Sequence, residues 1–192
     1  EILADVFNAH SQAKGQFRFA ISKPLEPRSY CTQYEDDWTF VHRLMEAEGL
    51  FGIWAQAEDG KAHTLTITDR LDTCEPLAPQ SVPFSNDGMN SEVDALLHWS
   101  GMRSLHSAVL ATRTFDYKSP SSLANPKGTH VPTVSHELPE ELEVYEYTGP
   151  YTYLKDDRGE HLTKIRMEEW ESRAKRFYGT GGLRGVDAGR WF

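Results

Sequence analysis

The stretch at residues 28–61, RSYCTQYEDDWTFVHRLMEAEGLFGIWAQAEDGK, carries the signals for one strand, one helix and one hairpin in succession. Residues 30–34 are aromatic and β-prone and follow a proline-rich lead, which predicts a strand. Asp36 or Asp37 stands where a helix N-cap is expected, and Gly49 stands where a left-handed backbone conformation ends a helix. The stretch therefore predicts a helix between these acidic residues and the glycine.

The helix predicted from Asp36 or Asp37 to Glu48 has one apolar face. Apolar residues recur on it at the 3.6-residue period of an α-helix, while the glutamates fall on the opposite face. We expect four of the apolar side chains to be mostly buried: Trp38, Val41, Leu44 and Met45.

The segments that flank this helix alternate in the manner of strands. Apolar and polar residues alternate over 51–56 and again over 64–68, and Asp59-Gly60 between them is a tight-turn pair, which together predict a β-hairpin. Upstream, residues 17–22 alternate in the same way, and residues 2–7 have the spacing of a short helix.

The same stretch resembles the middle of the VgrG proteins, the spike components of bacterial type VI secretion. More loosely, it is similar to the late control and baseplate hub proteins of contractile-tailed phages. The residues that follow the family pattern in order and spacing, which we expect to be structural, are Tyr30, Gln33, Tyr34, Asp37, Phe40, Arg43, Leu44, Glu48 and Gly49. We treat the resemblance as specific because helix cap, helix stop and turn are all in phase over the whole stretch.

After the hairpin the sequence becomes rich in proline. Residues 74–88 contain three prolines and an Asn-Asp-Gly sequence, which sustain neither a helix nor a central strand. We therefore place a domain boundary there. The predicted domains are a strand-helix-hairpin domain at 1–78 and a second, hub-like β-barrel domain at 79–192 with a C-terminal helix and a final strand.

The second half predicts several strands and one long helix. Strands are expected over 93–98 and 106–117, with Gly101 breaking the run between them, and an acidic strand is expected over 140–147. Residues 120–139 lack any period and predict a long loop. A helix is expected after Gly159 and up to Gly179, followed by a glycine-spaced β segment.

Composition argues against nucleic-acid binding and against a membrane-spanning helix. The chain has 192 residues, of which 39% are hydrophobic and 26% charged, as is ordinary for a soluble globular protein. Its net charge is −9 and neither half is basic, so nucleic acid is not expected as a partner, because binding to phosphates depends on clustered Lys and Arg. No apolar run approaches the ~20 residues of a membrane-spanning helix.

No set of residues in the sequence has the spacing of a known catalytic or metal-binding motif. His42 precedes Glu46 by four residues, but no second histidine completes an HExxH motif. The acidic run from Glu35 to Asp37 is better explained by helix capping than by a cation site. We therefore expect no catalytic residue, no metal and no cofactor; a metal site would require histidines from separate loops to converge.

The two cysteines are far apart and lack the spacing of metal ligands. Cys31 and Cys74 are separated by more than forty residues. Two reduced thiols packed as small apolar groups are the favoured interpretation, and a disulfide between them is the alternative.

The resemblance implies an α+β fold, mainly antiparallel β, and a structural role without enzymatic activity. The chain would be a fragment of the hub region, three copies of which surround a threefold axis and sit on the Hcp tube. A tip protein or effector cargo would be further partners, and the protein would stay in the bacterial cytoplasm until it is fired into a target cell. Subunit contacts would involve the tyrosine-rich segment with Tyr145, Tyr147 and Tyr151.

Three alternatives to the secretion spike stay open at this point. The first is the baseplate hub of a contractile phage or prophage. The second is a module that binds a carbohydrate or a receptor through exposed tyrosines. The third, a metal-dependent hydrolase, would need at least three His, Asp or Glu side chains converging in a pocket.

Overall fold

The computed structural model describes residues 1–28, 30–57, 59–85, 94–118, 142–150, 152–153 and 155–192, and the backbone of 129–132. Its contacts divide the chain into two compact units. The first unit comprises Glu1–His98 and Thr180–Phe192, and the second comprises Trp99–Gly179. The predicted domains at 1–78 and 79–192 place the boundary differently and stay a proposal.

The fold is α+β, as predicted. The helices are α1 (Ile2–Ala9), α2 (Asp37–Ala47) and α3 (Asp156–Ala174), with a short 3₁₀ helix at Leu71–Thr73. The strands are β1 (Phe17–Ala20), β2 (Phe51–Gln56), β3 (His63–Thr68), β4 (Glu75–Pro76), β5 (Leu96–Arg103), β6 (Val109–Phe115), β7 (Thr129–Pro132), β8 (Glu143–Pro150), β9 (Lys175–Gly181) and β10 (Arg190–Trp191).

The first unit contains a three-stranded sheet in the order β1-β3-β2. β2 and β3 form the predicted hairpin with antiparallel pairing, and β1 lies parallel to β3 on the other side. Side chains of α1, α2 and β3 form one core cluster, in which Ile67 is fully buried. The members of this cluster are Leu3, Phe7, Phe40, Val41, Leu44, Met45, Leu50, Leu65 and Ile67.

Both ends of α2 are fixed by the contacts that the sequence predicts. Asp36 is the N-cap, and its Oδ1 accepts a hydrogen bond from the Thr39 backbone N–H at 3.0 Å. At the other end Gly49 has φ of 68°, the left-handed conformation that a β-carbon resists. The N–H groups of Gly49 and Leu50 donate to the carbonyls of Glu46 and Met45 at 3.2 and 2.8 Å. These bonds satisfy carbonyls that the helix end leaves without a helical partner.

Two expectations for this region are wrong. Trp38 is 61% exposed, whereas Val41, Leu44 and Met45 are buried as predicted. Trp38 lies in the first turn of α2, at the end of the apolar stripe, where its indole packs edge-on against His42 instead of entering the core. Residues 30–34 form no strand; hydrogen bonds of side chains, and not pairing with another strand, hold this segment.

The second unit has a three-stranded sheet in the order β7-β6-β8 with α3 packed on β6 and β7. β6 is antiparallel to β7 and parallel to β8. The hydroxyls of Thr112 on β6 and Thr163 on α3 are hydrogen-bonded at 2.6 Å in a buried position. Tyr153 is also buried, and its hydroxyl donates to the Thr112 carbonyl at 3.3 Å. Leu110 and Met167 are buried in the same unit.

Three boundaries in this half differ from the sequence prediction. Gly101 lies within β5 and does not break it; its missing side chain leaves room for Phe177, whose ring would lie 3.2 Å from a β-carbon there. α3 begins at Asp156, ahead of Gly159, so the predicted helix starts too late. It ends at Ala174, and Lys175–Gly181 is the strand β9, so the predicted end at Gly179 is also too late. β5 and β9 pair as a two-stranded sheet.

The predicted loop at 120–139 contains the strand β7, which pairs with β6. The rest of that loop and residue 93 lie outside the described residues. The acidic strand predicted over 140–147 corresponds to β8, which begins at Glu143 and continues to Pro150.

Candidate functional site

The predicted family residues cluster around α2, where polar side chains hold the preceding segment onto the helix. Arg43 donates through Nε to Oε1 of Glu35 at 2.6 Å and through Nη2 to the Thr32 carbonyl at 2.8 Å. Gln33 donates to Oδ1 of Asp37 at 2.6 Å. The segment before α2 is thereby attached to the helix by one side chain of the helix, Arg43, and by one of its own, Gln33.

The start of α2 is also joined to α1. His10 follows the end of α1, and its Nε2 lies 2.8 Å from Oδ2 of Asp37. Hydrogen bonds from the Gln33 amide and then from His10 hold the pKa of Asp37 below its usual value. Asp37 is therefore ionised at neutral pH and favourably placed at the positive end of the helix dipole.

The neighbouring carboxylates are held ionised by similar contacts. The Thr39 hydroxyl and backbone N–H lower the pKa of Asp36. The Tyr34 backbone N–H and the Arg43 side chain lower the pKa of Glu35. Asp36 thus caps the helix as the sequence indicates, whereas Glu35 and Asp37 hold the preceding segment and the end of α1.

At the C-terminal end of α2, Glu48 is an almost fully buried carboxylate. Its side chain is 4% exposed, and Arg28 donates to Oε1 at 2.7 Å. Phe40 and Leu44 lie in the core, and the Arg43 guanidinium lies 5.3 Å from the centre of the Phe40 ring. Arg28 is the ionic partner of the buried Glu48. It was not among the predicted residues, since nothing in the sequence pairs it with Glu48.

Tyr30 and Tyr34 are placed differently from the other family residues. They are 79% and 92% exposed, so neither contributes to the core of this unit. The structural role of the whole predicted set, from Tyr30 to Gly49, stays a proposal.

A groove lies between α1, α2 and the hairpin strands of the first unit, with a volume of about 630 Å³. Its lining is mostly apolar and includes Trp38 and Trp54, the latter packed edge-on against His63 with ring centres 5.0 Å apart. Asp36 and Asp37 line it as well. Sequence reasoning missed this groove because it assigned Trp38 to the core.

The candidate tyrosines of the second unit are partly described. Tyr145 and Tyr147 stand two residues apart on β8, so they share a face of the strand, and both are exposed. Tyr151 lies outside the described residues. Exposed aromatic side chains on one strand face can serve a subunit contact or a ligand.

Within the described residues, no group of three or more His, Cys, Asp or Glu side chains is arranged to hold a metal ion. Cys31 and Cys74 are both free and half-buried, and Cys31 packs against the core of the first unit.

In the part of the chain that the structure describes, no helix combines the length and the apolar character needed to cross a membrane.

Comparison with known proteins identifies the family. The family model described as "Phage tail baseplate hub (GPD)" matches residues 1–192. Similar proteins include three type VI secretion system spike proteins of Pseudomonas aeruginosa strain PAO1. VgrG1c is 29% identical over 183 residues, covering 92% of this chain and 24% of that protein. VgrG1a is 28% identical over 196 residues, covering 100% and 29%, and VgrG1b is 27% identical over 179 residues, covering 92% and 23%.

The resemblance to VgrG and phage hub proteins is thereby confirmed. This chain spans between a fifth and a third of the length of these relatives. Because the family match extends over every residue, the chain belongs to the phage tail baseplate hub (GPD) family.

Proposed function

We propose that this chain is a structural hub segment of a contractile puncturing device, the spike of a type VI secretion system. The observation that carries the proposal is the hub family match over residues 1–192, joined by three relatives that are named type VI secretion spike proteins. In this proposal the chain transmits force and positions other proteins, and it carries out no chemistry of its own.

The contacts around α2 support a structural role. Asp37, Arg43 and Glu48 each have hydrogen-bonding or ionic partners that fix one segment to another. Charged groups used in this way lend rigidity to the unit that contains them. A hub that passes on the thrust of a contracting sheath needs such rigidity, whereas an enzyme needs polar groups that converge on a substrate.

The assembly and location belong to the same proposal. Three copies would surround a threefold axis and rest on the Hcp-type tube, with a tip protein or effector cargo carried by the spike. The protein would be held in the bacterial cytoplasm before firing and delivered into the target cell afterwards. Contacts between copies would include the exposed Tyr145 and Tyr147 and the neighbouring Tyr151.

The assembly can be tested in a protein of the relatives' length that contains this chain. It should be a trimer with more than ~1,000 Å² buried at each interface. Light scattering at micromolar concentration gives the mass directly. A monomeric long protein would contradict the hub proposal, and so would a trimer that fails to bind the end of an Hcp-type ring.

A baseplate hub of a contractile phage or prophage is the second candidate, favoured by the phage description of the family. The genomic surroundings distinguish the two candidates: tube and sheath genes with a dedicated ATPase accompany a secretion system, whereas prophage genes accompany a phage hub. The alternative of a carbohydrate- or receptor-binding module rests on the exposed Tyr145 and Tyr147, and it predicts that replacing both with Ser abolishes binding of the sugar or receptor.

A further inference from the structure

The groove of the first unit has a mostly apolar lining that includes two tryptophans. Side chains of α1, α2 and the sheet contribute to this lining, among them Val6, Phe17, Val41 and Leu65. Trp38 and Trp54 line it while remaining 61% and 47% exposed. A volume of about 630 Å³ is within the usual range of ligand sites.

The two tryptophans are held in place before any partner arrives. Trp38 packs edge-on against His42 with ring centres 4.3 Å apart, and Trp54 packs in the same way against His63 at 5.0 Å. Exposed aromatic side chains that are already ordered lose little entropy on binding, and tryptophan is over-represented among residues that dominate interface energies. Indole faces also attract the cationic groups of Lys and Arg.

Apart from His10 and His63, the ionisable side chains that line the groove are acidic. Asp36 and Asp37 line it, whereas none of the described lining residues is Lys or Arg. The first unit contains nine Lys and Arg against seventeen Asp and Glu, so it carries −8 of the net charge of −9. Hydrogen bonds to Thr39, Gln33 and His10 orient the two carboxylates.

We propose that this groove is a docking site for a segment of a partner protein that presents an aromatic or aliphatic side chain beside a Lys or Arg. The apolar side chain enters between the two tryptophans, and the cationic group lies against Asp36 and Asp37. The proposal does not depend on the hub function, because it rests on the shape, exposure and charge of the groove alone.

The test uses three acetylated dipeptide amides with the same apolar residue: Phe-Lys, Phe-norleucine and Phe-Glu. Binding to the intact chain is followed through the indole N–H signals of Trp38 and Trp54 in nitrogen-edited NMR spectra, assigned with Trp38→Phe and Trp54→Phe. We expect both signals to move with the Lys peptide, which should bind about threefold to fivefold more tightly than the norleucine peptide, with the Glu peptide weakest.

A matched pair of variants isolates the charge. Asn is as good an N-cap as Asp, so the double variant Asp36→Asn with Asp37→Asn keeps the helix start while removing both charges. It should bind all three peptides equally. Asp72→Asn removes a charge of the same unit that lies outside the groove lining, and it should keep the preference for the Lys peptide.

Salt provides a second test on the unaltered protein. Raising the salt concentration to about 0.5 M should remove the preference for the Lys peptide while leaving the norleucine peptide bound. The proposal is overturned if neither indole signal moves, or if the Lys and Glu peptides bind equally at low salt. It is also overturned if the two signals shift with protein concentration alone, since the occupant would then be a second copy of the chain.

Discussion

The charge of Glu48 would be energetically unfavourable at its position without a partner, for two reasons. Its carboxylate is almost fully buried, and it lies at the C-terminal end of α2, where the helix dipole repels a negative charge. Burial of a charge costs free energy unless a partner compensates. Arg28 supplies that partner at 2.7 Å, which explains how a glutamate is tolerated at this point of the core.

Replacing Arg28 with Gln should therefore destabilise the first unit. The Arg28 side chain is only 31% exposed, so its bond to Glu48 is weakly screened, and we expect the free energy of unfolding to fall by about 1–2 kcal/mol. Urea denaturation followed by circular dichroism measures this. Arg70→Gln, which removes an exposed pair with Asp72, is the control and should change stability much less. Equal losses in both variants would show that burial does not strengthen the Arg28 pair.

Gly159 presents a competition between helix propensity and packing. It lies within α3, where Ala is normally preferred to Gly by about 1 kcal/mol. A β-carbon at this position would lie 2.6 Å from the buried Tyr153 ring. We expect the clash to win, so Gly159→Ala should lower the free energy of unfolding by about 1–3 kcal/mol.

The same denaturation measurement separates the two effects on α3. Ser172→Ala changes an exposed position of that helix and should leave stability unchanged or slightly raised. If Gly159→Ala were also stabilising, the Tyr153 ring would have to move away at no cost, and the close packing of this part of the second unit would be disproved.

At the scale of elements, local signals in the sequence were sufficient where the deciding contacts are local. The ends of α2 depend on Asp36 and Gly49, which act within four residues of their own position, so cap and stop were predictable. The hairpin β2-β3 was predictable for the same reason. Local signals were not sufficient for residues 30–34, because an extended segment becomes a strand only when another strand pairs with it.

Errors in the second half have a similar origin. The apolar spacing of α3 continues to Phe177, yet the chain leaves the helix at Ala174, whose carbonyl accepts from the Ser104 N–H instead of from the helix. A contact between residues seventy positions apart decides this boundary. The groove and the Arg28–Glu48 pair also arise from tertiary contacts, and they were not predicted.

Gly49→Ala tests the stop of α2. A side chain at φ of 68° costs about 1–2 kcal/mol, whereas the unfolded chain is only slightly affected, so the first unit should be destabilised by about that amount. Gly182→Ala is the control, because no atom lies within 4 Å of a β-carbon placed there. Thermal or urea unfolding of both variants gives the comparison. A neutral Gly49→Ala would mean that the helix end relaxes into another conformation without loss.

For the whole molecule, charge is distributed unevenly, with −8 of the −9 in the first unit. Self-repulsion of this charge opposes compactness and weakens as carboxylates become protonated. Hydrogen bonds and ion pairs of individual carboxylates have the opposite effect, because they stabilise the folded state while those carboxylates are ionised. The pKa of Asp94 is lowered by the side chain and then the backbone of Arg184, and Glu35, Asp36 and Asp37 have lowered pKa values for the reasons given above.

These shifts determine how stability should change on acidification. A carboxylate whose pKa is lower in the folded than in the unfolded chain stabilises the fold fully above its ordinary value, 4.5 for Glu and 3.8 for Asp. That contribution is lost as the pH falls through the lowered folded value. We therefore expect the urea midpoint of the first unit to be steady or slightly higher from pH 7 to pH 5, as repulsion weakens, and to fall steadily below about pH 4.5.

The double variant Glu35→Gln with Asp36→Asn provides the comparison that assigns this loss. It keeps an amide acceptor at both positions but has no proton to bind there, so its midpoint should be lower than that of the natural chain at pH 7. Its decline below about pH 4.5 should be shallower, and the two proteins should converge once the pH lies below the lowered pKa values of the natural carboxyl groups, which are then protonated too. Two curves that stay parallel over the whole range would show that other groups govern the acid response, and that the contacts around the start of α2 hold no preference for the ionised form.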